Sequence, residues 1–304
     1  MDSLIDAYRT CELLTVGRDG TPVAWPTVGI RRADGTFLIS TSIGLPQKAL
    51  NIRRDNRVAV LFSDPTGSGL DEPSQVLLQG TATCPDEVVT APGPWADLWL
   101  RIRRVQPSSA YHRVPGLRRL MDWYYMRLLI TITPGEVTTF PAYRPAPPPP
   151  RSGDTSFPAV RRMSAFGGAV LSAYDVSGAP AMRRVHPSAV DGRFVLDAVD
   201  GLVAGRASLL WHSHDAKLDA LRAFVVTGTL TPSSGAWVLN PERYISTADR
   251  MTPLTMLRTI LGLRKTAARY LAKRNLPRPA VPWSEYRSAE RTAGPASLAG
   301  TRNR

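Results

Sequence analysis

The sequence predicts a mainly β chain with α-helical insertions, arranged as two tandem domains followed by a basic helical tail. Three observations predict it. β-Prone runs alternate with Asp-Gly turns in the first half, a polyproline segment divides the chain near its middle, and the same grammar then recurs. Residues 12–17 and 22–31 flank Arg18-Asp19-Gly20-Thr21, a strong hairpin signal. A second turn, Ala33-Asp34-Gly35, leads into a strand over 37–41. Pro46 then stands near the first turn of a short helix over 46–54, where its missing N–H is harmless. Strands over 57–63 and 75–83 follow, joined by an exposed Gly- and Pro-rich loop. Helices over 94–104 and 117–127 and a strand over 128–133 complete the half.

Residues 144–156, RPAPPPPRSGDTS, read as a linker. They place a first domain at 1–143, a second at 157–250 and a tail at 251–304. Ser177-Gly178-Ala179-Pro180 mirrors Asp19-Gly20-Thr21-Pro22, and Val190-Asp191-Gly192-Arg193-Phe194 mirrors Ala33-Asp34-Gly35-Thr36-Phe37. The glycine-to-glycine spacings are 15 and 14. Arg206-Ala-Ser-Leu-Leu-Trp211 matches Arg57-Val-Ala-Val-Leu-Phe62, and Thr227-Gly228-Thr229 matches Gln79-Gly80-Thr81. Several anchors in one order favour a duplication over chance sharing of Asp-Gly turns. One difference between the copies carries functional information: Phe37 to Arg57 spans 20 positions, Phe194 to Arg206 only 12. The second copy lacks the stretch that carries Gln47 and Lys48.

Composition removes several function classes. The net charge is +13, but from residue 258 onward eleven Arg or Lys face two Glu, so the excess belongs largely to the tail. Four basic residues are lysine and the rest arginine, a bias that fits a GC-rich genome better than a binding site. No specific nucleic-acid partner is expected. No apolar run approaches the roughly 18 residues of a membrane span, and the start lacks the basic region of a secretory signal. Cys11 and Cys84 form no CxxC pair, so neither a disulfide framework nor a cysteine zinc site is expected, and a cytoplasmic protein is. No GxSxG, Walker or HExxH motif occurs.

One segment carries chemistry. A strand delivers Ser40, Thr41 and Ser42 to its end, and a helix then begins with Lys48 in its first turn. Hydroxyls, free helix N–H groups and an ammonium suit a phosphate monoester. The same residues also read as a helix cap and a solvated charge, and their chemistry alone leaves both readings open.

Here the sequence resembles a family. Gly20-Thr21-Pro22-Val23-Ala24-Trp25-Pro26, then Asp34-Gly35-Thr36-Phe37, then S-T-S-x-G-x-x-x-K-A-x-N-I-R-R-D-x-R-V from Ser40 to Val58 are similar to the pyridoxamine 5′-phosphate oxidase-like flavin-binding split barrels. That superfamily includes actinobacterial enzymes that use a deazaflavin. The resemblance is dense over residues 10–83, faint in the second copy and absent from the tail. It implies two tandem split β-barrels forming an intrachain pseudo-dimer, with or without further homodimerisation. It implies that Ser40, Thr41 and Lys48 hold the phosphate of FMN, or alternatively of a deazaflavin, with Gln47 beside them. The backbone of Pro26, Thr27 and Val28 would run along the isoalloxazine ring, and Gln79 would add a polar contact. One site per chain is expected, lined by the first copy and closed by the second. The implied activity is flavin-dependent hydride transfer to or from a small molecule, with substrate and electron donor unnamed and no acid or base assigned. The arginine-rich substrate-phosphate signature of the true pyridoxamine phosphate oxidases is missing, which counts against vitamin B6 oxidation. The alternative is a non-enzymatic flavin- or haem-binding protein for storage or sensing.

Other residues are weighed against plainer roles. His212 and His214 share a strand face, and with Asp215 they read as a strand-end cap or helix start rather than a metal site. Trp95, Trp99, Trp123, Tyr124 and Tyr125 read as packing of a helical insert, with a cofactor cover or substrate pocket as the alternative. Arg101, Arg103, Arg104, Arg113, Arg118 and Arg119 in that insert read as a solvated basic face, with a site for an acidic substrate or cofactor tail as the alternative. Residues 254–274 form an amphipathic basic helix that packs or, alternatively, lies on an anionic membrane, and disorder is expected beyond Pro282.

Overall fold

A computed structural model describes residues 2–147, 151–246 and 252–298. The first half runs α1 (Asp2–Ala7), β1 (Cys11–Val16), β2 (Pro22–Thr27), β3 (Gly29–Arg31), β4 (Phe37–Ser42), α2 (Gln47–Arg54), β5 (Arg57–Phe62), β6 (Gln75–Thr83), α3 (Ala96–Val105), α4 (Pro115–Tyr125) and β7 (Arg127–Phe140). The second runs β8 (Arg151–Ser152), α5 (Pro158–Arg162), β9 (Ala169–Tyr174), β10 (Pro180–Val185), β11 (Ser188–Val190), β12 (Arg193–Leu196), β13 (Gly205–Ser213), β14 (Arg222–Ser233) and β15 (Ala236–Ser246). Two helices close the chain, α6 (Pro253–Ala272) and α7 (Trp283–Leu298). Among the described residues no helix is long and apolar enough to cross a membrane.

The first sheet has the order β2-β1-β5-β6-β7-β4-β3, the second β10-β9-β13-β14-β15-β12-β11-β8. Apart from β8 the two orders are the same, each second-half strand standing eight places after its counterpart. β8 lies within the segment that the sequence marks as a linker, just after its prolines, and pairs in parallel with β11.

Alternation explains why the strands are buried on both faces. Leu13 on β1 and Val58, Val60 and Phe62 on β5 point into the first barrel, while Leu14, Ala59 and Leu61 point out of it. The outward set meets Val170, Met182, Leu210 and Val225 of the second half, so the two sheets share an apolar interface. Polar contacts border it: Ser208 donates to the Pro22 carbonyl at 2.7 Å, and Tyr174 to the Gly20 carbonyl at 2.8 Å.

Gly80 and Gly228 mark the same event in each half. Each sits at a register shift, between β6 and β7 or between β14 and β15. A Cβ there would collide with the Thr133 or the Asn240 carbonyl oxygen. Glycine is required because the bulge brings a neighbouring backbone too close for a side chain.

The tail departs from the expectation of disorder beyond Pro282. Tyr286 and Glu290, four apart on α7, both turn into the helical insert of the first half. Tyr286 is fully buried and donates to the Thr90 carbonyl at 2.7 Å. Glu290 meets Arg103 at 2.8 Å. Burial of these side chains orders a segment whose composition is otherwise that of a loose terminus. The end of α6 packs Ala267, Tyr270 and Leu271 into the first barrel, while its start leaves Leu254, Leu257 and Leu261 exposed.

Candidate functional site

The predicted phosphate segment is formed as expected, with a strand ending at Ser42 and α2 beginning at Gln47 beside Pro46. Its side chains then diverge. Thr41 donates to the Leu45 carbonyl at 2.8 Å, and Ser42 donates to the Trp123 carbonyl at 2.8 Å while accepting from the Gly44 N–H. Gln47 is exposed and donates to Asn51 Oδ1 at 2.8 Å. These three close the local turn and helix.

Ser40 and Lys48 behave differently. Ser40 is 8 % exposed, yet among the described residues its Oγ has no hydrogen-bond partner. Lys48 is half-buried, with no carboxylate and no hydrogen bond among the described residues. Burial pushes its ammonium down to about 8; the Cys11 thiol opposes that shift and the Arg127 guanidinium adds to it.

Arg127 was missed by the sequence reading, where it ends a helix rather than beginning a strand. The register pairs it with Ser42 on β4, and alternation puts Ser40, Ser42 and Arg127 on one face of that strand pair. It is 5 % exposed, and among the described residues neither Nε nor Nη2 has a hydrogen-bond partner. Its guanidinium lies over Tyr124 at 4.1 Å and near Trp95 at 5.3 Å. A buried guanidinium without an acid is costly unless an anion joins it. Two cations and an orphaned hydroxyl around one strand end fit a phosphate monoester.

The segment assigned to the ring lies at the end of β2. Pro26 and Thr27 are half-buried and pair with Glu12 and Cys11 of β1. Val28 packs, with Leu38, against Trp95, Trp99, Tyr125 and Tyr286. Among the described residues, Val28 and Leu38 are covered by the helical insert and α7, while Val23, Ala24 and Trp25 of β2 pack against the second half. Gln79 lies elsewhere. It crosses the interface, donating to Asp175 Oδ2 and to the Pro180 carbonyl, each at 2.9 Å.

His212 and His214 do share a face, with their rings stacked 6.4 Å apart, but His212 caps nothing. It is buried in β13 against Glu12, Nε2 to Oε1 at 2.7 Å, with Arg184 and Ser63 in the same network. His214 contacts Thr10 at 3.0 Å and the Asp215 carbonyl at 2.9 Å. Burial pulls the Glu12 carboxyl upward, but the His212 hydrogen bond, the His212 and Arg184 charges and Ser63 outweigh it and leave Glu12 below its ordinary value. The partners are two hundred residues apart, so no sequence window could join them. Among the described residues no cluster of His, Cys, Asp and Glu could hold a metal ion.

A seven-strand order of this kind, wound around one apolar core and present twice, decides the architecture. Each half is a split β-barrel. No family model matches the sequence, and no curated protein does. Solved structures similar to the chain include ones of the pyridoxamine 5′-phosphate oxidase-like, F420 reductase and general stress protein 26 kind. A conserved hypothetical protein of Mycobacterium tuberculosis is 24 % identical, over 51 % of this chain and 91 % of its own, with a TM-score of 0.32. A Clostridium acetobutylicum protein related to general stress protein 26 is 15 % identical, over 45 % of this chain and 83 % of its own, with a TM-score of 0.32. An F420 reductase is 18 % identical, over 45 % of this chain and 94 % of its own, with a TM-score of 0.29. Each covers about half of the chain.

Proposed function

We propose that the first split barrel binds a phosphate-bearing flavin, FMN or alternatively a deazaflavin, and that the chain is an oxidoreductase acting on a small molecule. One observation carries the reading. Among the described residues, Ser40 Oγ and two nitrogens of Arg127 are buried without hydrogen-bond partners, and the Lys48 ammonium of α2 has no counter-ion. Such a set accepts a dianion with little rearrangement, because the donors are already held by β4, β7 and α2. A bound flavin supplies the hydride chemistry. The chain's own residues anchor the phosphate and shield the site with the aromatic layer over Val28 and Leu38.

The test is the visible spectrum of the purified protein, followed by titration with FMN and with the deazaflavin. Saturable uptake of one of them is expected. Lys48→Ala removes a charged hydrogen bond worth about 1.5–3 kcal/mol, so affinity falls by roughly ten- to a hundred-fold. A protein that takes up neither cofactor sinks the proposal. The packed cover of Trp95, Trp99, Tyr125 and Tyr286 favours a second reading, a ligand held for storage or sensing without turnover. NADPH oxidation by the flavin-loaded protein supports the enzyme. Flavin or haem bound with no reduction by any donor tested supports the second reading.

A further inference from the structure

The start of α6 is capped by its own sequence. Thr252 accepts from the Thr255 N–H at 3.1 Å, and Pro253 stands at the first helical position. At about 100° per residue the helix then has two unlike sides. Ile260, Leu263, Ala267, Tyr270 and Leu271 face the first barrel and pack against its core. The opposite side carries Leu254, Leu257, Arg258, Leu261, Lys265 and Arg269 within about 120° of arc, and all six are exposed. The three leucines are 58, 44 and 51 % exposed. Residues 254–261 expose four large apolar side chains, Met256 included; among the described residues no other eight-residue stretch exposes more than two. Single exposed leucines are ordinary, but a cluster marks a surface that meets something.

The charges of the segment are sorted as well. Residues 252–284 contain seven Arg or Lys and no Asp or Glu. Arg264 and Arg278 reach Asp122 at 3.2 and 2.6 Å, and Arg274 reaches Asp86 at 2.6 Å. Those three pin the segment to the first half. Arg258, Lys265, Arg269 and Lys273 are exposed and, among the described residues, meet no carboxylate. Packing therefore accounts for the inner side of α6 and for three cations. It accounts for neither the outward leucines nor the four other charges.

We infer that the outer side of α6 docks on an anionic lipid surface. Such a surface takes both kinds of side chain at once. Leucines enter the acyl region, while Lys and Arg reach the headgroups over their own apolar stems. A second copy of the chain would set cations against cations, and a nucleic acid would leave the leucines in water. The inference stands apart from the cofactor reading, because Ser40, Lys48 and Arg127 all lie outside α6.

The experiment is co-sedimentation of the full chain with vesicles of phosphatidylcholine containing about one third phosphatidylserine, against phosphatidylcholine alone, at low and high salt. Saturable binding to the anionic vesicles is expected, at least about tenfold tighter than to the neutral ones and weaker as salt rises. Leu257→Gln with Leu261→Gln should weaken it by about tenfold or more, since glutamine keeps the helix propensity and removes the apolar surface. Arg258→Gln with Lys265→Gln should weaken it by about fivefold per charge. All four side chains are exposed, so the thermal midpoint should stay where it is. Absence of binding to the anionic vesicles, or equal binding to both kinds, overturns the inference. So does binding that ignores either pair of substitutions, because charge alone or another face would then hold the chain. A short DNA duplex bound more tightly than the vesicles, with no dependence on the leucines, gives the face to nucleic acid instead. A dimer in sedimentation velocity that the leucine pair abolishes gives it to a second copy.

Discussion

The two barrels have one strand order and different contents. Between β4 and β5 the first half inserts α2 with Lys48, where the second has a bare loop. Between β6 and β7 it inserts residues 84–126, where β14 and β15 are joined by Ser234-Gly235 alone. Counting along matched registers, Ser40 corresponds to Asp197 and Arg127 to Ser234. The second half thus has an acid where the first has a free hydroxyl, and no cation at either position. The barrel itself is a scaffold. The candidate chemistry comes from two insertions on one copy, and the other copy contributes its outer face to an interface.

The largest expected effect breaks that comparison at the insert. Glu290 of α7 is 4 % exposed and is held by Arg103 at 2.8 Å and Arg113 at 3.0 Å. Glu290→Ala leaves the buried Arg103 without its acid and should cost about 3–5 kcal/mol. The loss should appear in tryptophan fluorescence, reporting Trp95, Trp99 and Trp283, before far-UV circular dichroism reports the sheets. Acid should do the same. Burial raises the Glu290 carboxyl, but His112, 3.4 Å away, and the hydrogen bonds from Arg113 and Arg103 outweigh that and depress it from 4.5 to about 2. Its stabilisation is therefore complete above the unfolded value and lost as pH falls through about 2, a contribution of about 3 kcal/mol. A fluorescence transition that coincides with loss of the sheets at every pH would show that insert and barrel unfold as one unit.

A second test asks whether the halves match at the backbone. Gly80→Ala and Gly228→Ala each put a Cβ against a carbonyl of the facing strand. Overpacking of this kind costs about 1–3 kcal/mol, and equivalent bulges predict similar shifts in urea midpoint. If one substitution is neutral, the two bulges differ despite their common register.

The strand pattern was legible because period-two burial and Asp-Gly turns are local signals, and the repeat was legible because those signals recur in order. Lys48 stood out for the same reason, as a cation in the first turn of a helix. Arg127 was hidden because its meaning lies in its cross-strand partner, and because the helix ends at Tyr125, two residues earlier than the sequence pattern predicts. Glu12 with His212, and Arg103 with Glu290, were hidden because each pairs residues far apart in sequence. Disorder beyond Pro282 followed from composition, and composition does not register two side chains that dock four residues apart.

The smallest expected effect bears on Gln79, which the resemblance gives to the cofactor and the structure gives to the interface. Its amide nitrogen reaches Asp175 and the Pro180 carbonyl of the second half. Its register counterpart is Thr227, whose shorter side chain cannot return the same bridge, so the pseudo-symmetry is broken here too. Asp175 keeps its bonds to the Ser177 and Ala179 N–H groups in any case, and the Pro180 carbonyl lies at a strand end. Gln79→Ala should therefore cost about 1 kcal/mol of stability and leave FMN affinity unchanged. Lower FMN affinity at unchanged stability would return Gln79 to the cofactor and place the flavin against the interface between the barrels. The Ser40–Lys48–Arg127 patch would then be one end of a longer site shared by both halves.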